Sequence, residues 1–334
     1  MALIRSSARA LRLRVIDATA FAVLLLILQP ARAAAQTPPD DPLARRPFVR
    51  RAPGVLGFEL RPSWNGSYKS AAFRTNRWGM RDKDYELKPP PRTFRIALVG
   101  SSFAVGGGVL EEQTHQSLLE DQLNREGPGA PHRHYEILNF SAPGYGALND
   151  VAVTSQKIFP FAPNAVFLVI HRIERPRMIN YLVQLVRGGV SIEYPYINQK
   201  LREQGVERGM EEMELRRRVA PIARDIVRWS YQHIAQSCRE HRVPVVGIVF
   251  PEPKPVQSDE LESIAQMASE AGIPLISLNG VYGGYSPDSV TLSHDNRSDP
   301  HLNVLGHQLV AARLFQLLRE NDARLLKLGF AGSR

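Results

Sequence analysis

Two widely separated stretches of this chain hold residue types that can carry out nucleophilic chemistry: Gly100-Ser101-Ser102 and Asp299-Pro300-His301. A hydrolytic serine needs a base to take its proton and a third group to orient that base. Asp299 and His301 stand two residues apart around a rigid proline, so both side chains can leave one loop toward the same cleft. The carboxylate can then hold one imidazole tautomer while the other ring nitrogen faces a serine. Ser102 follows the apolar run Ile96–Val99 and precedes a glycine-rich turn at Gly106–Gly108. A serine at the carboxyl end of a buried parallel strand, just before a helix, sits where open α/β sheets place their chemistry. The amides of such a turn can also stabilise an oxyanion.

The elements that must position these residues alternate in type. Strands are expected at Arg95–Val99, Tyr135–Asn139, Ala165–Ile170, Val243–Phe250 and Pro274–Leu278. Helical patterns run from about Glu111 to Arg125, from about Leu148, and over Ile222–His241, Asp259–Ala271 and Val304–Glu320. Strands rich in Val, Ile and Leu separated by helices imply a parallel sheet covered on both faces. The expectation is a three-layer α/β/α sandwich with a five-stranded parallel sheet, ordered 2-1-3-4-5, over residues 94–325. Its site should lie at the strands' carboxyl ends, and the Asp-Pro-His stretch follows the last strand at that edge. Residues 51–93, with β-like pieces at Phe58–Leu60 and Ser67–Phe73, read as a short strand-rich preface. Residues 172–221 interrupt the alternation with clustered arginines, Tyr194-Pro-Tyr196 and a densely charged helical stretch from Lys200 to Val219. Such an insertion is a solvated excursion or a rim over the site.

The formal net charge is +9, but residues 1–36 hold five arginines and one aspartate, leaving 37 basic and 32 acidic residues. That balance is mild for a nucleic-acid binder, and no aromatic-interleaved basic module accompanies it. Cys238 has no partner for an internal disulfide, and no Cys/His set has zinc-like spacing. Gly106–Gly108 are not followed by the Lys-Ser/Thr of a phosphate loop, so neither metal nor organic cofactor is expected. Arg5, Arg9, Arg12 and Arg14 precede an apolar run from Ala18 to Leu28 and then Ala31-Arg-Ala-Ala-Ala-Gln36. This is the order of a secretory signal peptide over residues 1–35, followed by a linker over 36–50. The run is too short to span a bilayer, so a periplasmic or secreted protein with no stable membrane span is expected; an uncleaved amino-terminal anchor is the alternative.

The chain resembles the SGNH (GDSL-type) hydrolases over about residues 50–320. Gly100-Ser101-Ser102 is similar to the family's Gly-Asp-Ser block, which makes Ser102 the nucleophile. Asn139-Phe-Ser-Ala-Pro-Gly144-Tyr-Gly146 resembles its second block, with Gly144 the oxyanion glycine. Asp299, His301, Asn303 and Gly306 resemble the last block, and Asn76-Arg-Trp-Gly-Met-Arg81 is similar to the preface of bacterial members. The resemblance implies an exported serine esterase or acyl hydrolase with an SGNH/flavodoxin-like fold, acting on an acylated small molecule or glycan. An acyltransferase or a non-catalytic glycan-binding protein on the same fold are the alternatives.

Two blocks depart from the pattern. Ser101 replaces the aspartate of the first, and the third lacks its Gly-x-Asn-Asp, ending instead in Val169-Ile170-His171-Arg172-Ile173-Glu174. Losing one oxyanion donor lowers turnover by a factor of about 10²–10³. His171 and Arg172 are the residues able to take that place, and a His-x-x-Glu strand end resembles one sub-branch of the family. Ser101 is the nucleophile if the register slips by one. His294-Asp295 reads as loop, His307 as a structural or exposed residue of the last helix, and Asn65-Gly-Ser67 as a glycosylation acceptor by pattern alone.

Overall fold

The computed structural model describes residues 46–128, 131–254, 259–294 and 297–330. The signal peptide and the linker up to residue 45 lie outside them, as does Asp295. The linker expected to run to residue 50 ends earlier: β1 (Val49–Arg51) pairs antiparallel with β2 (Phe58–Leu60). The run Ser67–Phe73, read as one β-like piece, folds back on itself as β3 (Asn65–Tyr68) and β4 (Ala71–Arg74). Their two-residue turn places Lys69 and Ser70 at φ of 51° and 65°, the left-handed pattern of tight hairpins. Phe73 is fully buried there, ringed by Phe48, Trp64 and Tyr68 at centroid distances of 5.3–6.0 Å.

The core sheet is parallel throughout: β5 (Thr93–Val99), β6 (His134–Asn139), β7 (Ala165–Ile170), β8 (Val245–Val249) and β9 (Leu275–Ser277) stand in the order β6-β5-β7-β8-β9. This is the expected 2-1-3-4-5. Every residue of β5 and β7 is buried, as strands covered on both faces require. The order reverses at β5, so the crevice for chemistry opens beyond its carboxyl end.

Helices cover both faces. After β5 comes a single helical turn, α1 (Ser102–Val105), and then α2 (His115–Glu126), where the sequence suggested one helix from Glu111. α3 (Ala147–Val153) follows β6. The 172–221 stretch contains α4 (Glu174–Arg187), α5 (Pro195–Glu203) and α6 (Glu212–Val219). α4 is a packed layer helix, with Met178, Tyr181, Leu182 and Leu185 buried. The charged run breaks at Gly205, whose φ of 59° suits glycine, so Lys200–Val219 is two helices. α7 (Ala223–Glu240) buries Ile226, Ser230, Ile234 and Cys238 at four-residue spacing, which places the lone thiol in the core with its pKa pushed up to about 12 by burial. α8 (Glu260–Glu270) precedes β9. α9 (Pro287–Val290) leads into the β10 (Thr291–His294) and β11 (Arg297–Leu302) pair, and α10 (Val304–Leu325) closes the fold against α2. Among the described residues no helix is long and apolar enough to cross a membrane.

Candidate active site

Ser102 is the first residue of α1, directly beyond β5, with Ser101 extended before it. A Cβ at Gly100 would lie 2.7 Å from that of Val169, so only glycine lets this turn cross so close to β7. The turn after α1 is clamped by Arg81. Its guanidinium, 1% exposed, donates to the carbonyls of Val105 at 2.8 Å, Val109 at 2.5 Å and also Gly106. The Asn76–Arg81 motif prepares that clamp: Asn76 Oδ1 accepts from the Trp78 and Met80 amides, and Gly79 passes where a Cβ would meet the Leu60 carbonyl at 2.7 Å.

Asp299 and His301 lie on β11 rather than in a loop. Residues i and i+2 of a strand share a face, which brings the two side chains together. A register shift between Thr291 and Leu292 bulges Pro300 and His301 out of the ladder, a device that re-aims a side chain. Asn303 and Gly306 hold this strand in place. Asn303 Oδ1 accepts from the Gly306 amide and its Nδ2 donates to the Ser289 and Thr291 carbonyls, while a Cβ at Gly306 would strike the Val290 carbonyl.

His301 Nδ1 lies 2.5 Å from Asp299 Oδ1, which also accepts from the His301 amide at 3.0 Å. The opposite ring nitrogen, Nε2, is buried with no hydrogen-bond partner. Burial and the nearby Lys69 cation lower the His301 pKa, and Asp299 opposes them. Burial would raise the Asp299 pKa, but hydrogen bonds from Lys69 and His301 outweigh it and hold the carboxyl at about 2. The dyad is therefore a carboxylate and a neutral imidazole near neutral pH.

Phe103 connects this dyad to the serine turn. Its ring lies 5.1 Å from that of His301 and 4.1 Å from that of His171, each tilted by 22°. Ser102 is thus the neighbour in sequence of the ring on which His301 rests. The α1 turn and β11 are in contact, and among the described residues the Ser102 hydroxyl has no hydrogen-bond partner. Such contacts often tighten only when substrate binds. Ser101 is also buried, its hydroxyl without a partner.

The second block packs on the same turn. The Ala142 amide donates to the Gly100 carbonyl and Asn139 Nδ2 to that of Ala104. Gly144 sits at φ 96°, and among the described residues its amide is unbonded. The amino end of α4 grips this loop: buried Glu174 accepts from the Ala147 amide at 2.8 Å, and Arg177 donates to the Tyr145 carbonyl at 2.8 Å. The His-x-x-Glu strand end thereby has two separate jobs. Its His171 meets Phe103, and its Glu174 anchors the Gly144 loop.

His171 is 1% exposed, and burial, aided by Arg177 and Arg172, pushes its pKa down to about 3. Its Nδ1 lies 3.5 Å from the Ile173 amide, which leaves the proton on Nε2, an atom with no hydrogen-bond partner. Glu252, beyond β8, comes within 3.4 Å of that atom and accepts from Arg172 Nε at 2.8 Å. His307 is buried and lies 3.0 Å from His115 through their Nδ1 atoms. Among the described residues no group of three or more His, Cys, Asp or Glu is placed to hold a metal ion.

Two residues of the site carried no sequence signal. Glu252 is one; the other is Lys69, whose ammonium lies 2.5 Å from Asp299 Oδ2 and 2.6 Å from His301 Nδ1.

No family model matches the chain, and no curated protein does. Among solved structures it is similar to an esterase from Pseudoalteromonas sp., at 12% identity over 69% of this chain and 99% of that one, with a TM-score of 0.41. A lipase/acylhydrolase from Enterococcus faecalis is 15% identical over 70% and 97%, at 0.40. A variant acetyl xylan esterase from Geobacillus stearothermophilus is 12% identical over 72% and 97%, at 0.43. At these identities and scores the likeness concerns the path of the chain alone.

Proposed function

We propose that the protein cleaves carboxylic esters, with Ser102 as nucleophile, His301 as general base and Asp299 holding the imidazole. The observation that carries this reading is the neutral His301, fixed through Nδ1 by a carboxylate and offering a buried, unpartnered Nε2 beside the serine turn. Nε2 takes the Ser102 proton as Oγ bonds to the ester carbonyl carbon. The proton then passes to the departing alkoxide as its C–O bond breaks, and water releases the acyl group by the same route. The Ser102 and Gly144 amides face the oxyanion, and His171 Nε2–H is the third donor where the strand end lacks an asparagine. Arg172, held by Glu252, meets the polar part of the substrate.

The leader supports an exported protein, periplasmic or secreted, acting on acyl groups of an extracellular polysaccharide or cell-wall glycan. Amino-terminal sequencing of the mature chain tests that location: cleavage after Ala33 or Ala35 agrees, and an intact leader contradicts it. Turnover of p-nitrophenyl acetate tests the chemistry. The wild type should hydrolyse it and Ser102→Ala should lose about 10⁴-fold or more; an inactive wild type contradicts the reading. Adding an acetylated-glycan donor with a sugar acceptor distinguishes hydrolysis from transfer, because only a transferase forms acylated acceptor.

A further inference from the structure

A serine, a histidine and an aspartate are enough for the chemistry above, yet a fourth ionisable side chain enters the same centre. Lys69 comes from a hairpin 230 residues away in sequence and reaches both members of the dyad. The hairpin is built to present it. Lys69 and Ser70 both occupy left-handed backbone, which is uphill for residues other than Gly, Asn and Asp and persists only when its surroundings hold it. The holding contacts are visible. Tyr68 packs against Gly107, where a Cβ would meet its ring at 2.4 Å, and against Phe48 at 4.7 Å. The Ala72 carbonyl on the other arm faces Arg81 Nη2 at 3.4 Å, the same guanidinium that clamps the turn after α1. The hairpin and the serine turn are therefore fixed to each other, and Lys69 is carried into the site by a rigid arm.

We infer that Lys69 is a positioning residue of the dyad: its ammonium occupies the second oxygen of the Asp299 carboxylate and stands against His301 Nδ1, so the imidazole stays neutral and its Nε2 stays open to a proton. The inference rests on the ester-cleaving reading for its catalytic meaning, and on the distances alone for its physical content. Asp299 Oδ1 receives the ring N–H and the His301 amide, and Oδ2 receives Lys69. Both oxygens are used, so the carboxylate cannot rotate away from the ring. A fixed cation bonded to Asp299 Oδ2 beside the ring opposes the addition of a second proton to the imidazole. The other groups around His301 are His171, which also stacks on Phe103, Arg177 of α4 and His307 of α10. Both histidines are buried and held neutral, so the cations acting on His301 are Lys69 and Arg177, and Lys69 is the one in contact.

The sign follows. A histidine is a base only above its pKa, so a cation that lowers that pKa extends activity toward acid. Removing Lys69 raises the His301 pKa and moves the acid limb of kcat/KM to higher pH. Lys69→Asn tests this with a residue suited to the left-handed turn, and Lys69→Arg restores the charge. For Lys69→Asn the ratio of kcat/KM at pH 5 to that at pH 8 should fall about tenfold. Lys69→Arg should keep the wild-type ratio. A purely structural role would lower activity at every pH and leave the limb in place.

The His301 Hε1 resonance, assigned by its loss in His301→Gln, should titrate at higher pH in Lys69→Asn than in wild type, whether or not the protein turns over an ester. A titration and acid limb that coincide in wild type and Lys69→Asn overturn the inference. A shifted titration in a protein that hydrolyses no ester overturns the ester reading and leaves the role of Lys69 standing.

Discussion

Replacing His301 with glutamine is expected to lower turnover of p-nitrophenyl acetate by about 10⁴–10⁶-fold, with KM changed little. The ring is the group with an open nitrogen beside the serine turn, so no neighbour can substitute for it. His171 is the nearest alternative, but burial holds its pKa down at about 3, which makes it a poor base. The fold should tolerate the change. Asp299 remains paired with Lys69 at 2.5 Å, so no uncompensated charge is left behind. A thermal midpoint within a few degrees of wild type, read by circular dichroism, accompanies the lost turnover. Asp299→Asn should lower turnover by about 10⁴-fold through the wrong tautomer. It should also unfold more readily, because it strands Lys69.

The largest effect on stability is expected at Arg81. Arg81→Met should lower the unfolding free energy by about 3–5 kcal/mol, because several buried carbonyls lose their donor at once. Among the described residues no carboxylate pairs with this buried guanidinium, and its charge is satisfied by carbonyls of the turn after α1. Burial pushes its pKa down to about 10, with Glu111 and Glu112 opposing, so it stays charged at neutral pH. Methionine fills much of the same volume and stacks against Phe73, but leaves the Val105, Gly106 and Val109 carbonyls without this donor. Urea titration at unchanged m-value reads the loss. Arg81→Lys should recover only part of it, because one ammonium cannot reach three carbonyls in a planar fork. Turnover should fall as well, since the clamp holds both Ser102 and the hairpin that carries Lys69.

What was legible in the sequence divides along physical lines. Strands buried on both faces are mostly apolar, so Arg95–Val99, apolar from Ile96 on, and Ala165–Ile170 announce themselves and differ from the structure by two residues at most. The β3–β4 hairpin is different. Tight hairpins are signalled by Asn-Gly or Asp-Gly, and here Lys-Ser does the turning with its strain held by tertiary packing. The stretch therefore reads as a single strand where two exist, and Lys69 is hidden with the turn. Asp299 and His301 were legible as a pair, whereas the bulge that aims them depends on how β10 meets β11. Glu252 joins the site only because β7 and β8 are neighbours, and no local pattern encodes that. Asn303, Gly306, Asn76 and Arg81 stood out through resemblance, and the structure gives each a mechanical task.

Labelling with a fluorophosphonate, followed by peptide mass spectrometry, reads the activation of Ser102 itself. The reagent forms a covalent bond only with a serine whose hydroxyl is activated by an adjacent base. One adduct per chain is expected on Ser102, absent in Ser102→Ala, strongly slowed in His301→Gln and retained in Ser101→Ala. An unlabelled wild type, or an adduct on Ser101 in its place, would contradict it.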